Sequence, residues 1–343
     1  MLEGRFFLEL SPDEILLCEG PFEPSKSSDS PWEIAILPFK PLSSNSPRFL
    51  NAKRSQIVRR EVLSQCAKGK APQNLIFSTS ERSLFTKSFA SLKALMNQGL
   101  ALKGVPWAYQ SAPLKEAGTF FESFLARIPH IPPSLSLYGA QMSDVSVLGA
   151  SPEWLFRISD QGKTLETVAL AGTRWPGQNR LPQIENKDAF EHELVVKQIH
   201  DRLAPLGQVT LGERSWIRAA SVEHLKTPIR LESQSVLDPA KMLELLHPTP
   251  AVGVFPRTQE AQEWLYALPH HMMRGDFAAP WVVRNRDDHR AWALVGIRQV
   301  RLRGDEIIIP AGCGVVSDSI EEVEWQEIQE KILSVKKGWG LQD

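Results

Sequence analysis

Three segments of this chain put reactive side chains where packing alone would not ask for them. The first, His247–Arg257, reads HPTPAVGVFPR, with prolines at 248, 250 and 256. Each proline fixes φ and removes a backbone donor, so the segment is neither a helix interior nor a central strand. It is an ordinary turn with an incidental histidine, or a rigid mount for His247. In the second segment, NKDAFEHELVVKQIHDRLA (186–204), Val195, Ile199 and Leu203 form an apolar helical stripe. Carried backwards in helical steps, that stripe reaches Glu191 and then Asp188 or Lys187. A first-turn acid can simply stabilise the helix end, but a carboxylate heading a buried stripe needs a partner, and a cation or metal satisfies it best.

The third segment is C-terminal. Ser319 and Glu322 have the spacing of a capping box, followed by a packing face of Trp325, Ile328, Ile332 and Val335. Beside that face Glu324, Glu327 and Lys331 lie at steps of three and four and share one charged stripe. As a solvated edge, the stripe would be worth a few tenths of a kcal/mol. Just before it stands PAGCGVVSDS, where Gly312 and Gly314 let the backbone approach a ligand. Acids from two helices, with hard oxygen donors and no Cys/His cluster, suit Mg²⁺.

The elements that must position these groups are mixed. Segments 48–70 and 83–99 have helical spacing, and residues 21–48 read as Pro/Ser-rich loop around one strand. From about residue 100 short β-type runs predominate, and AWALVGIRQVRLRGDEIIIPAG reads as a hairpin turning at RGDE. Helices are expected at about 186–204, 239–246, 258–268 and 319–336. Strand and helix do not alternate regularly, so the expected class is α+β with antiparallel sheets. One large domain over 1–343 is the simplest organisation. The 343 residues carry 39 Lys and Arg against 40 Asp and Glu, for a net charge of -1. That balance gives no basic surface for nucleic acid or anionic membrane. Three widely spaced cysteines suit free thiols in a reducing cytosol. No signal peptide and no apolar run of roughly 18–20 residues is apparent, so a cytoplasmic protein is expected.

Taken together, LGASPEWLFRI (148–158), TVALAGTR (167–174), KDAFEHELVVKQI (187–199), LHPTPAVG (246–253), VGIRQV (295–300) and PAGCGVVSDSIEEVEWQEIQEKI (310–332) resemble the chorismate-utilising enzymes. Six motifs in that family's order cover 101–336, whereas residues 1–100 match poorly. The resemblance implies antiparallel sheets packed as a sandwich with flanking helices around a Mg²⁺-dependent chorismate site. Carried over residue by residue, it makes Glu191 and Glu327 the Mg²⁺ ligands, with Asp188 and Glu324 in or near the next layer. Arg298 and Lys331 would bind carboxylate, while Gly172, Thr173, Gly312 and Gly314 would supply backbone or hydroxyl donors. His247 would stand near the substrate ring and carboxylate, and Glu153 would be the general acid that protonates the departing C4 hydroxyl. Such an acid must stay protonated near neutral pH, which calls for a desolvated site.

The branch rests on two comparisons. The family's water-using members carry a lysine base about fifty residues before the acid, and LKGVPWAY places Lys103 fifty residues before Glu153. Aminodeoxychorismate synthases typically have a nucleophilic lysine in KGT, where this chain has Ala171 in AGT. The resemblance therefore points first to an isochorismate synthase, serving menaquinone or siderophore biosynthesis and needing no glutaminase subunit. Salicylate synthase, anthranilate or aminodeoxychorismate synthase component I, and a non-catalytic chorismate-binding protein are the alternatives. The chain departs from the family pattern at Ala108, Val254, His270, Ala279 and Val282, positions expected to border the pocket.

Overall fold

The computed structural model describes residues 3–24, 30–40, 49–69, 75–78, 82–143, 145–175, 182–219, 222–268 and 274–341. His270, one of the family departures, lies outside them. The strand Gly4–Ser11 sends Phe6, Leu8 and Leu10 into one buried cluster and Phe7 into another. This is the period-two alternation of a strand covered on both faces. It belongs to a sixteen-stranded antiparallel sheet that carries both the N-terminal hundred residues and the motif-bearing part. From one edge the order is Gly207–Leu211, Val222–Ser233, Thr164–Arg174, Trp154–Ser159, Ala291–Val295 and Pro280–Asn285. It continues through Trp32–Ile36, Leu50–Val58, Glu14–Glu23, Gly4–Ser11 and Ser136–Met142. Ser146–Ser151, Gln299–Arg303, Glu306–Gly312 and Trp107–Pro113 complete it, and Ser215–Ala219 pairs onto Val222–Ser233. Helices pack against this sheet, so the α+β antiparallel reading holds. No helix among the described residues is long and apolar enough to cross a membrane.

Helices occupy Pro182–Leu203, Pro239–Leu246, Gln259–Tyr266 and Glu321–Trp339, close to the expected spans. Three local expectations need correction. Only Arg60–Gln65 of segment 48–70 is helical, because Leu50–Val58 is a strand between Glu14–Glu23 and Trp32–Ile36. Ladder bonds on two sides satisfy its backbone and override local periodicity. The hairpin at RGDE joins only Gln299–Arg303 to Glu306–Gly312, while Ala291–Val295 pairs with Trp154–Ser159 and Pro280–Asn285. Between these two strands Arg298 takes a left-handed φ of 55. The capping box does not form. Ile320 is the N-cap without a side-chain bond, Ser319 Oγ instead accepts from the Val316 amide, and Glu322 pairs with Arg82.

A second sheet, of three short strands, is where the distant motifs meet. Lys103–Gly104 is its centre, flanked by Val254–Phe255 and Val315–Val316. It brings the proline-rich segment, the PAGCG loop and Lys103 together from positions spread over more than two hundred residues.

Candidate active site

Three elements surround Lys103, which is wholly buried. The helix Pro182–Leu203 presents Glu191, whose Oε1 lies 2.9 Å from Lys103 Nζ. A Cβ on Gly314 would stand 2.0 Å from that same Oε1 and 3.0 Å from Lys103 Cε. Only glycine lets the PAGCG loop pass there. Gly172, with φ +71, likewise lets the strand Thr164–Arg174 bend against Asp188, whose Cβ would be 3.1 Å from an added methyl.

The helix Glu321–Trp339 supplies the opposite wall. Glu324 and Glu327 are 1% and 6% exposed, so their stripe is a buried face and not a solvated edge. Glu327 Oε1 accepts from Thr173 Oγ1 at 2.9 Å and meets Lys331 Nζ at 2.6 Å. Lys331 also donates to the Gly312 carbonyl at 2.9 Å. Lys187 reaches Glu324 at 2.8 Å, Glu191 at 3.4 Å and Asp188 at 3.7 Å.

The carboxyls divide by their surroundings. Burial raises Glu153 to about 8, against the smaller opposing pulls of the Lys103 and Lys331 charges. Burial acts on Glu191 too, but the close ammonium groups of Lys103 and Lys187 outweigh it and hold that carboxyl at about 2. Glu327 is also lowered, burial being overcome chiefly by Lys331 and Lys187. Burial raises Glu324, against the pull of Lys187. Glu153 thus stays a neutral acid at pH 7 while Glu191 and Glu327 stay carboxylates, the separation acid–base chemistry needs.

One cavity is lined by Glu153, Gly172, Thr173, Glu191, Arg298, Gly312, Gly314, Glu327 and Lys331. Lys103 and Glu324 stand directly behind it, bonded to Glu191 and Lys187. His247 is not brought to the cavity. Its Nε2 donates to the Phe39 carbonyl at 2.9 Å, its ring meets Phe39 edge-on, and burial lowers its pKa to about 3. The prolines hold a neutral histidine that braces the chain at Phe39. Ala108, Val254, Ala279 and Val282 are buried and do not line the cavity, contrary to the expectation for those departures.

The sequence reading missed His224. Its Nδ1 is 3.1 Å from the Gly172 carbonyl, which only accepts, so Nδ1 carries the proton and Nε2 accepts from Arg298 at 3.4 Å. Burial, with Lys331 and Arg298 nearby, lowers this histidine to about 3 and keeps it neutral. In VEHLKTPI it looks like any strand residue; only its pairing opposite Thr173 places it here. Arg274 and Phe277, also not singled out, line the same cavity.

The residues that could hold a divalent cation are Glu191 and Glu327, with Asp188 and Glu324 behind. Among the described residues no three Asp, Glu, His or Cys side chains enclose an ion as they stand, because lysines separate the carboxylates. The donor set nevertheless fits a hard cation. Every donor is a carboxylate oxygen, Lys187 already stands among three of them, and Glu324 Oε2 is buried without a hydrogen-bond partner among the described residues.

A family profile described as "Chorismate binding enzyme" matches residues 56–338. The chain is 32% identical over 271 residues to "Salicylate biosynthesis isochorismate synthase" of Pseudomonas aeruginosa, covering 76% of this chain and 55% of that protein. It is also 32% identical over 219 residues to the isochorismate synthase MenF of Bacillus subtilis, covering 60% of this chain and 44% of the relative. The chain thus spans about half the length of these curated relatives. Among solved structures, MenF of Escherichia coli, a menaquinone-specific isochorismate synthase, superposes with a TM-score of 0.78 at 19% identity, covering 98% of this chain and 88% of the other. The DhbC structure from Bacillus anthracis gives 0.74 at 21% identity, over 99% and 97%. Both structural likenesses speak to the fold.

Proposed function

Because the chain belongs to the chorismate-binding enzyme family, we propose that it is an isochorismate synthase, converting chorismate to isochorismate with Mg²⁺. The observation that carries this reading is Glu153, a buried carboxyl raised to about 8 in a cavity shared with carboxylates held ionised. The reaction needs such a pair of states. Water must add at C2 and lose a proton, the ring double bonds shift, and the C4 hydroxyl must leave as water carrying a proton from an acid. Glu153 holds that proton at neutral pH, and Lys103, which must first give up the proton it shares with Glu191, is the basic group assigned to the attacking water. Arg298 and Lys331 bring positive charge to the cavity wall for the substrate's carboxylates. His224, a neutral ring fixed by Gly172, orients Arg298.

Glu191 and Glu327 would hold Mg²⁺, with Asp188 and Glu324 supporting them. The ion, when bound, would supply the charge that anchors the ring carboxylate of chorismate. Thr173 already orients Glu327, and Gly314 lets the PAGCG loop pass close against Glu191. The similarity to isochorismate synthases supports action without a glutaminase subunit, and three free cysteines support a cytoplasmic setting. Menaquinone or siderophore biosynthesis is the proposed downstream use, menaquinone being the one named for the MenF structure of Escherichia coli.

Purified protein incubated with chorismate and Mg²⁺, with products resolved by chromatography, tests the proposal. Isochorismate is expected. Anthranilate formed only with ammonia, or salicylate with pyruvate, would assign the chain to another branch. Binding without turnover would make it a chorismate-binding protein.

A further inference from the structure

The side chain of Lys187 touches three carboxylates: Glu324 at 2.8 Å, Glu191 at 3.4 Å and Asp188 at 3.7 Å. The other two lysines of the cluster have different attachments. Lys103 is locked in the centre of the three-stranded sheet and is wholly buried. Lys331 is tied to Glu327 and to the Gly312 carbonyl. Lys187 is therefore the lysine of the cluster that bridges three carboxylates among the described residues, although Lys331, at 15%, is the more exposed. Its side chain is 10% exposed, which gives it a way out.

The formal charges point the same way. Counted as fully ionised, Asp188, Glu191, Glu324 and Glu327 bring four negative charges, and Lys103, Lys187 and Lys331 three positive ones. The cluster is within one charge of neutrality with no metal. A divalent ion added to it would leave an excess of one positive charge in a buried site. An ammonium at hydrogen-bond distance and a Mg²⁺ at about 2.1 Å compete for the same oxygens.

We infer that Lys187 is the resident counter-ion of the metal-free site, and that it must swing out of the carboxylate cluster for Mg²⁺ to bind. It is a positioning residue with two consequences. It stabilises the metal-free fold by neutralising carboxylates that burial would otherwise penalise. It also weakens the apparent affinity for Mg²⁺, because only molecules with Lys187 withdrawn are competent to bind. This rests on the Mg²⁺ reading of Glu191 and Glu327.

The test compares the full chain with its Lys187→Met variant, both stripped with chelator, by titration calorimetry and thermal unfolding with Mg²⁺ alone. The variant should have a lower Tm without metal, a larger Mg²⁺-induced rise in Tm, and an apparent Kd for Mg²⁺ tighter by about tenfold or more. A variant that binds Mg²⁺ no more tightly than the wild type overturns displacement and leaves the metal reading standing. Absence of Mg²⁺ binding in both proteins, with chorismate turnover persisting in chelator, overturns the metal reading and this inference with it. Should Lys187→Met not fold, amine labelling of the wild type read by mass spectrometry decides the matter. Modification of Lys187 should rise severalfold on Mg²⁺ saturation, and unchanged labelling contradicts the inference.

Discussion

Glu153 and Glu191 carry the same functional group in one cavity and are driven to opposite protonation states. Both lose hydration; what separates them is ammonium contact. Glu191 has Lys103 at 2.9 Å and Lys187 at 3.4 Å, whereas Glu153 has only longer-range lysine charge. The pH dependence has a definite sign. The active form has Glu153 protonated, so kcat/KM should hold through neutrality and fall as pH rises through about 8, where the acid ionises. Glu153→Gln should lower kcat by about 10²–10⁴-fold and abolish that alkaline limb, with Mg²⁺-dependent chorismate binding retained. Near-normal turnover in this variant would remove Glu153 from the mechanism. At this scale the sequence was partly legible. Spacing picked out Glu191, Glu324, Glu327 and Lys331, and family resemblance supplied Lys103, Glu153 and Arg298. His224 was not legible, since its place depends on a register between strands fifty residues apart. His247 was over-read, because rigid mounting by prolines does not specify what the histidine faces.

Between elements, the helices Pro182–Leu203 and Glu321–Trp339 place their acids from opposite sides of the cavity. Their periodicities were readable, because an apolar stripe at helical spacing survives in any context. The strand Leu50–Val58 was not, because ladder partners on both sides decide its state and lie far away in sequence. The C-terminal helix contains its own control. Glu327 is buried at the cavity, while Glu321 lies six residues earlier and accepts a hydrogen bond from Thr86 outside it. Glu327→Gln should lose activity and weaken apparent Mg²⁺ affinity, as should Glu191→Gln. The double variant should be little worse than either single one, since both act through one ion. Glu321→Gln should stay near wild type, shifting stability by less than about 1 kcal/mol. Equal Mg²⁺ dependence in the wild type and Glu327→Gln would refute the metal role of Glu327.

Over the whole molecule, the site exists only because distant segments converge. The three-stranded sheet joins residues near 103, 254 and 315, and the large sheet carries Glu153, Thr173 and Arg298 to one cavity. The ordered motifs let the α+β class and the family resemblance be read from sequence, but not this convergence, which depends on strand order. The central claim is that water adds at C2 as the C4 hydroxyl departs. Carrying out the reaction in H₂¹⁸O with Mg²⁺ and locating the label in the product by mass spectrometry and NMR tests it most directly. The account predicts isochorismate with one ¹⁸O on C2. Product that forms at the same rate without label at C2 would contradict it.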